Sequence, residues 1–186
     1  MRGLEDTLQR KIIRVTSTVG VTTPLSPTQI NSVLPGGVPV ADCNNILDYF
    51  RITDEKRLLF GAGADYLGRE TKNKKSLIRN RIINLFPQLN EFNLEYAWNG
   101  FIAATKNQLP EIICAQPNIY IAQGFSGHGL ALTGLAGILI TEKINGVSER
   151  FDIFANINHR DMPLHPYRNP LLIAAMLINK LKDFYH

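Results

Sequence analysis

The sequence predicts an α+β fold: an antiparallel sheet with a covering helix, then a strand-turn-helix unit and a C-terminal helix. Three observations carry this. Residues 46–52 and 57–63 are apolar-rich runs flanking the polar turn Thr53-Asp54-Glu55-Lys56, the signature of a hairpin. Residues 74–89 place Leu77, Ile78, Ile82, Ile83, Leu85 and Phe86 on one broad face with charges opposite, an amphipathic helix ended by Pro87. The apolar strand Ile119-Tyr120-Ile121-Ala122 runs through Gly124-Phe125-Ser126-Gly127-His128-Gly129 into helical spacing at Leu130, Leu132, Leu135, Ile138, Leu139 and Ile140.

Taken in order, residues 4–11 read as a short helix. Residues 11–25 are rich in β-branched side chains and predict a long strand, bulged at Gly20. Residues 26–39 hold three prolines and a Gly-Gly pair, which predicts a loop with one short helical turn at most. Gly61 and Gly63 in the hairpin mark a bulge, tight packing or the approach of a ligand to backbone. In residues 91–105, Phe92, Leu94, Tyr96 and Trp98 alternate with polar or small residues, the period of a half-buried strand. A strand at 111–115, a turn at Gln116-Pro117-Asn118 and the strand at 119–122 follow. Asn145-Gly146 stops the next helix, residues 151–154 form a short turn or helix, and Pro170 opens a last helix at its N1 position. The expected organisation is 1–104, 105–147 and 148–186.

The turn at 124–129 has its glycines at the first, fourth and sixth places, so it is not G-x-G-x-x-G. Glu142 falls near the distance of a ribose-binding acid but lies within the predicted helix. What the turn does offer is a helix N-terminus, whose free N–H groups and dipole favour an anion or a developing negative charge.

Bulk properties narrow the classes. At 186 residues, 45% hydrophobic and 19% charged, the chain fits one domain or two small ones with a sizeable core. The net charge of +4 is mild, and the Lys72, Lys74, Lys75, Arg79 and Arg81 cluster lacks interleaved aromatics, which argues for a solvated face and no nucleic acid. Cys43 and Cys114 are isolated, the pattern of a reducing compartment. The four histidines show no ligand spacing, so no metal is expected. No apolar stretch suits a signal peptide or a membrane span, and the cytoplasm is the expected location.

Several blocks together resemble the D-amino-acid-oxidase-like superfamily of FAD-dependent oxidoreductases, with its γ-glutamylputrescine oxidoreductase branch as the nearest likeness. They are 45–70, 86–89, 96–112, 118–137, 151–160 and 168–185, with the turn Gly124-Phe125-Ser126-Gly127-His128-Gly129 the most specific. The resemblance begins at about Lys11 and lacks the Rossmann βαβ unit with which family members start. It therefore implies a C-terminal portion: most of a substrate domain, then the final strand-turn-helix of an FAD-binding domain. It implies FAD as cofactor and oxidation of an amine at its C–N bond. It also implies a small-molecule amine substrate, and as partner the missing N-terminal FAD-binding half or a second copy by self-association.

By the same resemblance, the backbone of Gly127, His128, Gly129 and Leu130 donates to the flavin edge that gains negative charge on reduction, while Gly124, Phe125 and Ser126 shape the turn against the ring. Trp98 and Gly100 match a block near the flavin, although Trp98 could equally anchor the core. Tyr49 and Ile102 fall on the substrate side. Relatives acting on α-amino acids often carry arginine where Ile102 stands, so the departure implies an amine without a carboxylate there, such as a glutamylated polyamine. Asn107 replaces a frequent acidic residue. No catalytic acid or base is identified, since the flavin does the redox chemistry. The alternatives are a non-catalytic module or one subunit of a split flavoenzyme.

Overall fold

The computed structural model describes residues 6–44, 47–65, 68–89 and 91–162. They divide into two compact units, Thr16–Phe101 on one side and residues 6–15 with 102–162 on the other. The expected single portion 1–104 is thus split. Its first residues join the later unit because Leu8 and Lys11 bond to Gln123 and Glu111. The helix expected from Pro170 lies outside the described residues.

The sheet unit contains α2 (Pro27–Val33), β2 (Val40–Ala41), β3 (Tyr49–Ile52), β4 (Leu58–Asp65) and α3 (Lys74–Leu85). It also takes in most of β1 (Ile12–Thr22) and β5 (Leu94–Thr105), strands that continue into the other unit. The strand order is β2-β3-β4-β1-β5, with β3 pairing antiparallel to β2 and β4, and β4 to β1. Alternation along β4 sends Leu58, Phe60 and Ala62, each fully buried, to the side where Ile78 and Ile82 of α3 are equally buried. Phe50 joins them, stacked on Phe60 and edge-on to Phe86. Phe86 caps α3 one residue before Pro87, where the next residue can no longer donate a helix bond.

Three sequence expectations change here. The register shift in β1 falls between Ser17 and Thr18, not at Gly20. Gly20 instead admits α3 to the sheet, since a Cβ there would lie 2.8 Å from Ile78 Cγ2. The 26–39 stretch holds a seven-residue helix, started by a reciprocal capping box between Ser26 and Gln29 with Pro27 behind the cap. The strand at 94–105 forms as expected and Leu94 packs on the core, but beyond it the exposed and inward faces are the reverse of the expected ones. Tyr96 and Trp98 are 58% and 43% exposed, so Trp98 is no core anchor. Glu95 and Asn99 turn inward because each has a polar partner there, Arg57 and the Thr18 hydroxyl respectively.

The second unit contains α1 (Asp6–Gln9), the hairpin β6 (Glu111–Gln116) and β7 (Ile119–Gln123), α4 (Gly129–Ile144) and α5 (Glu149–Ala155). Asn118 turns the hairpin at φ +65°, a conformation asparagine tolerates. Ile112, Ala136, Leu139 and Phe151 form the buried core, with Tyr120 edge-on to Phe151. Asn145 caps α4 and Gly146 turns away at φ +87°, as the stop signal predicts. Lys143 joins α4 to α5 through Asp152, 2.8 Å away.

Candidate functional site

Within the second unit, Gly124 to Gly129 form the connection between β7 and α4. Gly124 is buried at φ +71°, and a Cβ on it would stand 2.3 Å from Thr105 Cγ2. Local geometry alone therefore requires glycine there. Ser126 holds the turn shut in three ways: its N–H donates to the Ala103 carbonyl, its hydroxyl donates to Gly124 O, and its Oγ accepts from Thr105 N–H. These bonds sustain its own positive φ of +51°. An isolated bridge between Ala104 and Phe125 fixes the turn further.

The upper side of the turn is different. Among the described residues, nothing lies within 4 Å of a Cβ placed on Gly127, and one on Gly129 would meet only Phe125 Cβ, at 3.8 Å. His128 N–H is spent on the Phe125 carbonyl at 2.8 Å, so this residue is not a free donor. The first intrahelical bond runs from Leu132 N–H to His128 O. Among the described residues, the N–H groups of Gly127, Gly129 and Leu130 have no acceptor. The His128 side chain makes no cap and no acidic residue occupies the first turn of α4. Leu130 is fully exposed. The result is an uncapped N-terminus of a 16-residue helix opening on space that side chains would fill. Such an end suits an anion or a negatively polarised ring edge, which is the fit an FAD isoalloxazine needs.

Within the sheet unit, alternation places Tyr49 and Arg51 of β3, and Tyr96, Trp98 and Gly100 of β5, on the face away from α3. The Tyr49 ring lies across Gly61, where a Cβ would come within 2.0 Å of its Cζ. That contact explains Gly61 as room for a side chain. The Tyr49 hydroxyl lies 3.4 Å from Ser17 Oγ. Among the described residues, nothing lies within 4 Å of a Cβ placed on Gly100. Three sequence-selected residues, Tyr49, Trp98 and Gly100, thus share one open, aromatic face. Ile102 lies further along β5, half-buried in the other unit, close in sequence to the Ala103 carbonyl that anchors the turn.

A cleft of about 410 Å³ elsewhere on the sheet unit is lined by Thr23, Arg79 and Phe92 among others. Its guanidinium is committed to the wall, donating to the Phe92 carbonyl at 2.7 Å and stacking on the ring. Among the described residues no three His, Cys, Asp or Glu side chains gather as metal ligands, and no single helix is long and apolar enough to cross a membrane.

Comparisons with known proteins bear on this geometry. The FAD dependent oxidoreductase family matches residues 1–143. The γ-glutamylputrescine oxidoreductase of Escherichia coli is 38% identical over 86% of this chain and 38% of its own length. A probable oxidoreductase, OrdL, of Haemophilus influenzae is also 38% identical, over 84% of this chain and 35% of its own. The two are equally similar, so the match singles out neither relative. The fold is shared with glycine oxidase from Geobacillus kaustophilus, at a TM-score of 0.64 and 18% identity over 82% of this chain and 40% of that one. The chain spans well under half the length of these relatives.

Proposed function

We propose that this chain, which belongs to the FAD-dependent oxidoreductase family, forms the C-terminal part of an enzyme oxidising an amine at its C–N bond. The observation that carries the proposal is the uncapped α4 N-terminus with its unpaired N–H groups under open space. Gly127, Gly129 and Leu130 donate to the flavin edge, Gly124 and Ser126 hold the turn beneath them, and Phe125 with His128 complete its backbone. Bound FAD would supply the two-electron acceptor for the carbon beside the amine. The chain's own residues orient the ring and favour negative charge on it. By the family resemblance, Tyr49 of the sheet unit is assigned to the substrate and Trp98 and Gly100 to the cofactor.

Ile102 offers no charge to a substrate carboxylate, and this favours an amine such as a glutamylated polyamine over an α-amino acid. The decisive comparison is turnover of γ-glutamylputrescine against glycine and D-alanine by the flavin-loaded enzyme containing this chain. Preference for either amino acid would refute the substrate assignment.

The outer face of α4 favours a second part to the assembly. Leu130, Ile138 and Ile144 are 102%, 54% and 62% exposed, and Gly134, Gly137 and Thr141 lie between them with no charge. The opposite face is already buried on Phe151 and Ile112. A helix apolar on both sides is one covered on both sides. The covering body in this reading is the remainder of the FAD-binding fold, in the same polypeptide or as the partner subunit of a split enzyme. A chain without it would self-associate through the same face. Ile138→Lys should abolish whichever association forms, read by sedimentation velocity.

A further inference from the structure

Beneath the turn lies a buried ionic anchor that the sequence did not single out. Glu111 opens β6 and pairs in register with Gln123, the last residue of β7, immediately before Gly124. Its side chain is 1% exposed. One carboxylate oxygen accepts from Lys11 Nζ at 2.5 Å and the other from Gln123 Nε2 at 2.6 Å. The same Gln123 nitrogen donates to the Leu8 carbonyl at 3.3 Å. A carboxyl group this deeply buried is costly unless donors meet its oxygens, and here each oxygen has one. The network therefore defines where the Gln123 side chain sits, and with it the end of β7 from which the turn departs.

We infer that Glu111 is the positioning residue of the cofactor turn, acting through Gln123 with Lys11 as counter-charge. The inference rests on the reading of the turn as the flavin cradle. Local packing holds the turn from within through Ser126; Glu111 holds its take-off point. Replacing the carboxylate by an amide of the same shape puts one N–H group against a donor, either Lys11 or Gln123, so one contact is lost and the strand end loosens.

The test is amide hydrogen exchange on the chain carrying Glu111→Gln, with flavin affinity measured separately on the flavin-loaded enzyme. The amides of Ser126, His128 and Leu132 are protected by the turn, and they should exchange about tenfold faster. The amide of Leu139, deep in α4, should be unchanged. The double variant Glu111→Gln/Gln123→Glu restores an amide donor opposite a carboxylate across the strand pair, but it turns the Lys11 ion pair into a neutral hydrogen bond and replaces the Leu8 bond by an oxygen facing that carbonyl. It should bring the turn amides part of the way back. Equal acceleration at Leu139, or no recovery in the double variant, would overturn the positioning role. A loosened turn with unchanged flavin affinity would instead refute the cradle reading and leave the anchor standing. Should Glu111→Gln fail to fold, Gln123→Met leaves the Lys11 pair intact and carries the same comparison.

Discussion

Gly124→Ala is the substitution whose consequence the geometry fixes most tightly. Two separable penalties act on it. The residue sits at φ +71°, where an alanine Cβ costs about 1–2 kcal/mol. The new Cβ would also stand 2.3 Å from Thr105 Cγ2, and forcing such an overlap in a packed site costs about 1–3 kcal/mol more. The expected loss is therefore about 2–5 kcal/mol, read as a drop in the urea midpoint of about 1–2 M for a chain of this size. Thr105→Ser separates the penalties. It removes the offending methyl and keeps the hydroxyl that donates to Leu109 O at 2.7 Å. By itself Thr105→Ser should cost about 1 kcal/mol, as for other buried methyl deletions. In the Gly124→Ala background it should be neutral or stabilising, a coupling of about 1–3 kcal/mol in the double-mutant cycle. A loss under about 0.5 kcal/mol for Gly124→Ala, or strict additivity with Thr105→Ser, would refute the claim that close packing under the turn dictates this glycine.

Other expectations follow from the same geometry. Gly61→Ala should displace the Tyr49 ring and destabilise the sheet unit by about 1–3 kcal/mol, and Tyr49→Ala in the same chain should relieve most of that loss, since the contact at issue is the 2.0 Å approach to Tyr49 Cζ. His159 is 9% exposed, and burial first of all, with the Lys11 charge, holds its pKa below the ordinary value of 6.5 against the upward pull of Glu111 and the Pro110 backbone. Among the described residues, neither ring nitrogen reaches hydrogen-bond geometry with a partner. Because the unfolded chain takes up this proton at higher pH than the folded one, stability is full above about pH 6.5 and falls as pH drops below it; His159→Asn should flatten the fall in urea midpoint between about pH 7.5 and pH 5. Trp98 is the sole tryptophan and is 43% exposed, so acrylamide should quench its fluorescence nearly as in the unfolded chain, and a strongly protected signal would contradict the open face.

The elements whose signals are local were legible in the sequence. The 49–65 hairpin, α3 ending at Phe86, the strand-turn-helix at 119–144 and its Asn145-Gly146 stop all form where periodicity and turn chemistry put them. The α2 helix was also legible in principle, because Ser26 and Gln29 carry a capping box, but three prolines and paired glycines across 26–39 outweighed it. The face of β5 was not legible. Alternation fixes which residues share a side, and which side is buried depends on whether Glu95 and Asn99 find Arg57 and Thr18 across the sheet. The Lys11–Glu111 pair lies beyond any local signal, since its members are 100 residues apart. Gly20 and Gly61 likewise answer to side chains brought by other elements, Ile78 and Tyr49.

The central claim is that unpaired N–H groups at the start of α4 hold the negative edge of the flavin, and the reduction potential of the bound flavin tests it most directly. Gly129→Pro removes one such donor at the N1 position, and Gly129→Ala is the control that adds bulk and keeps the N–H. Because His128 before it stands at ψ 20°, a backbone that a following proline crowds, the urea midpoint of each variant is read alongside. The expected result is a midpoint potential lowered by about 30–60 mV for the proline variant, the two-electron equivalent of one hydrogen bond to a charged group, with a much smaller change for alanine. Equal potentials in wild type and Gly129→Pro would contradict the account.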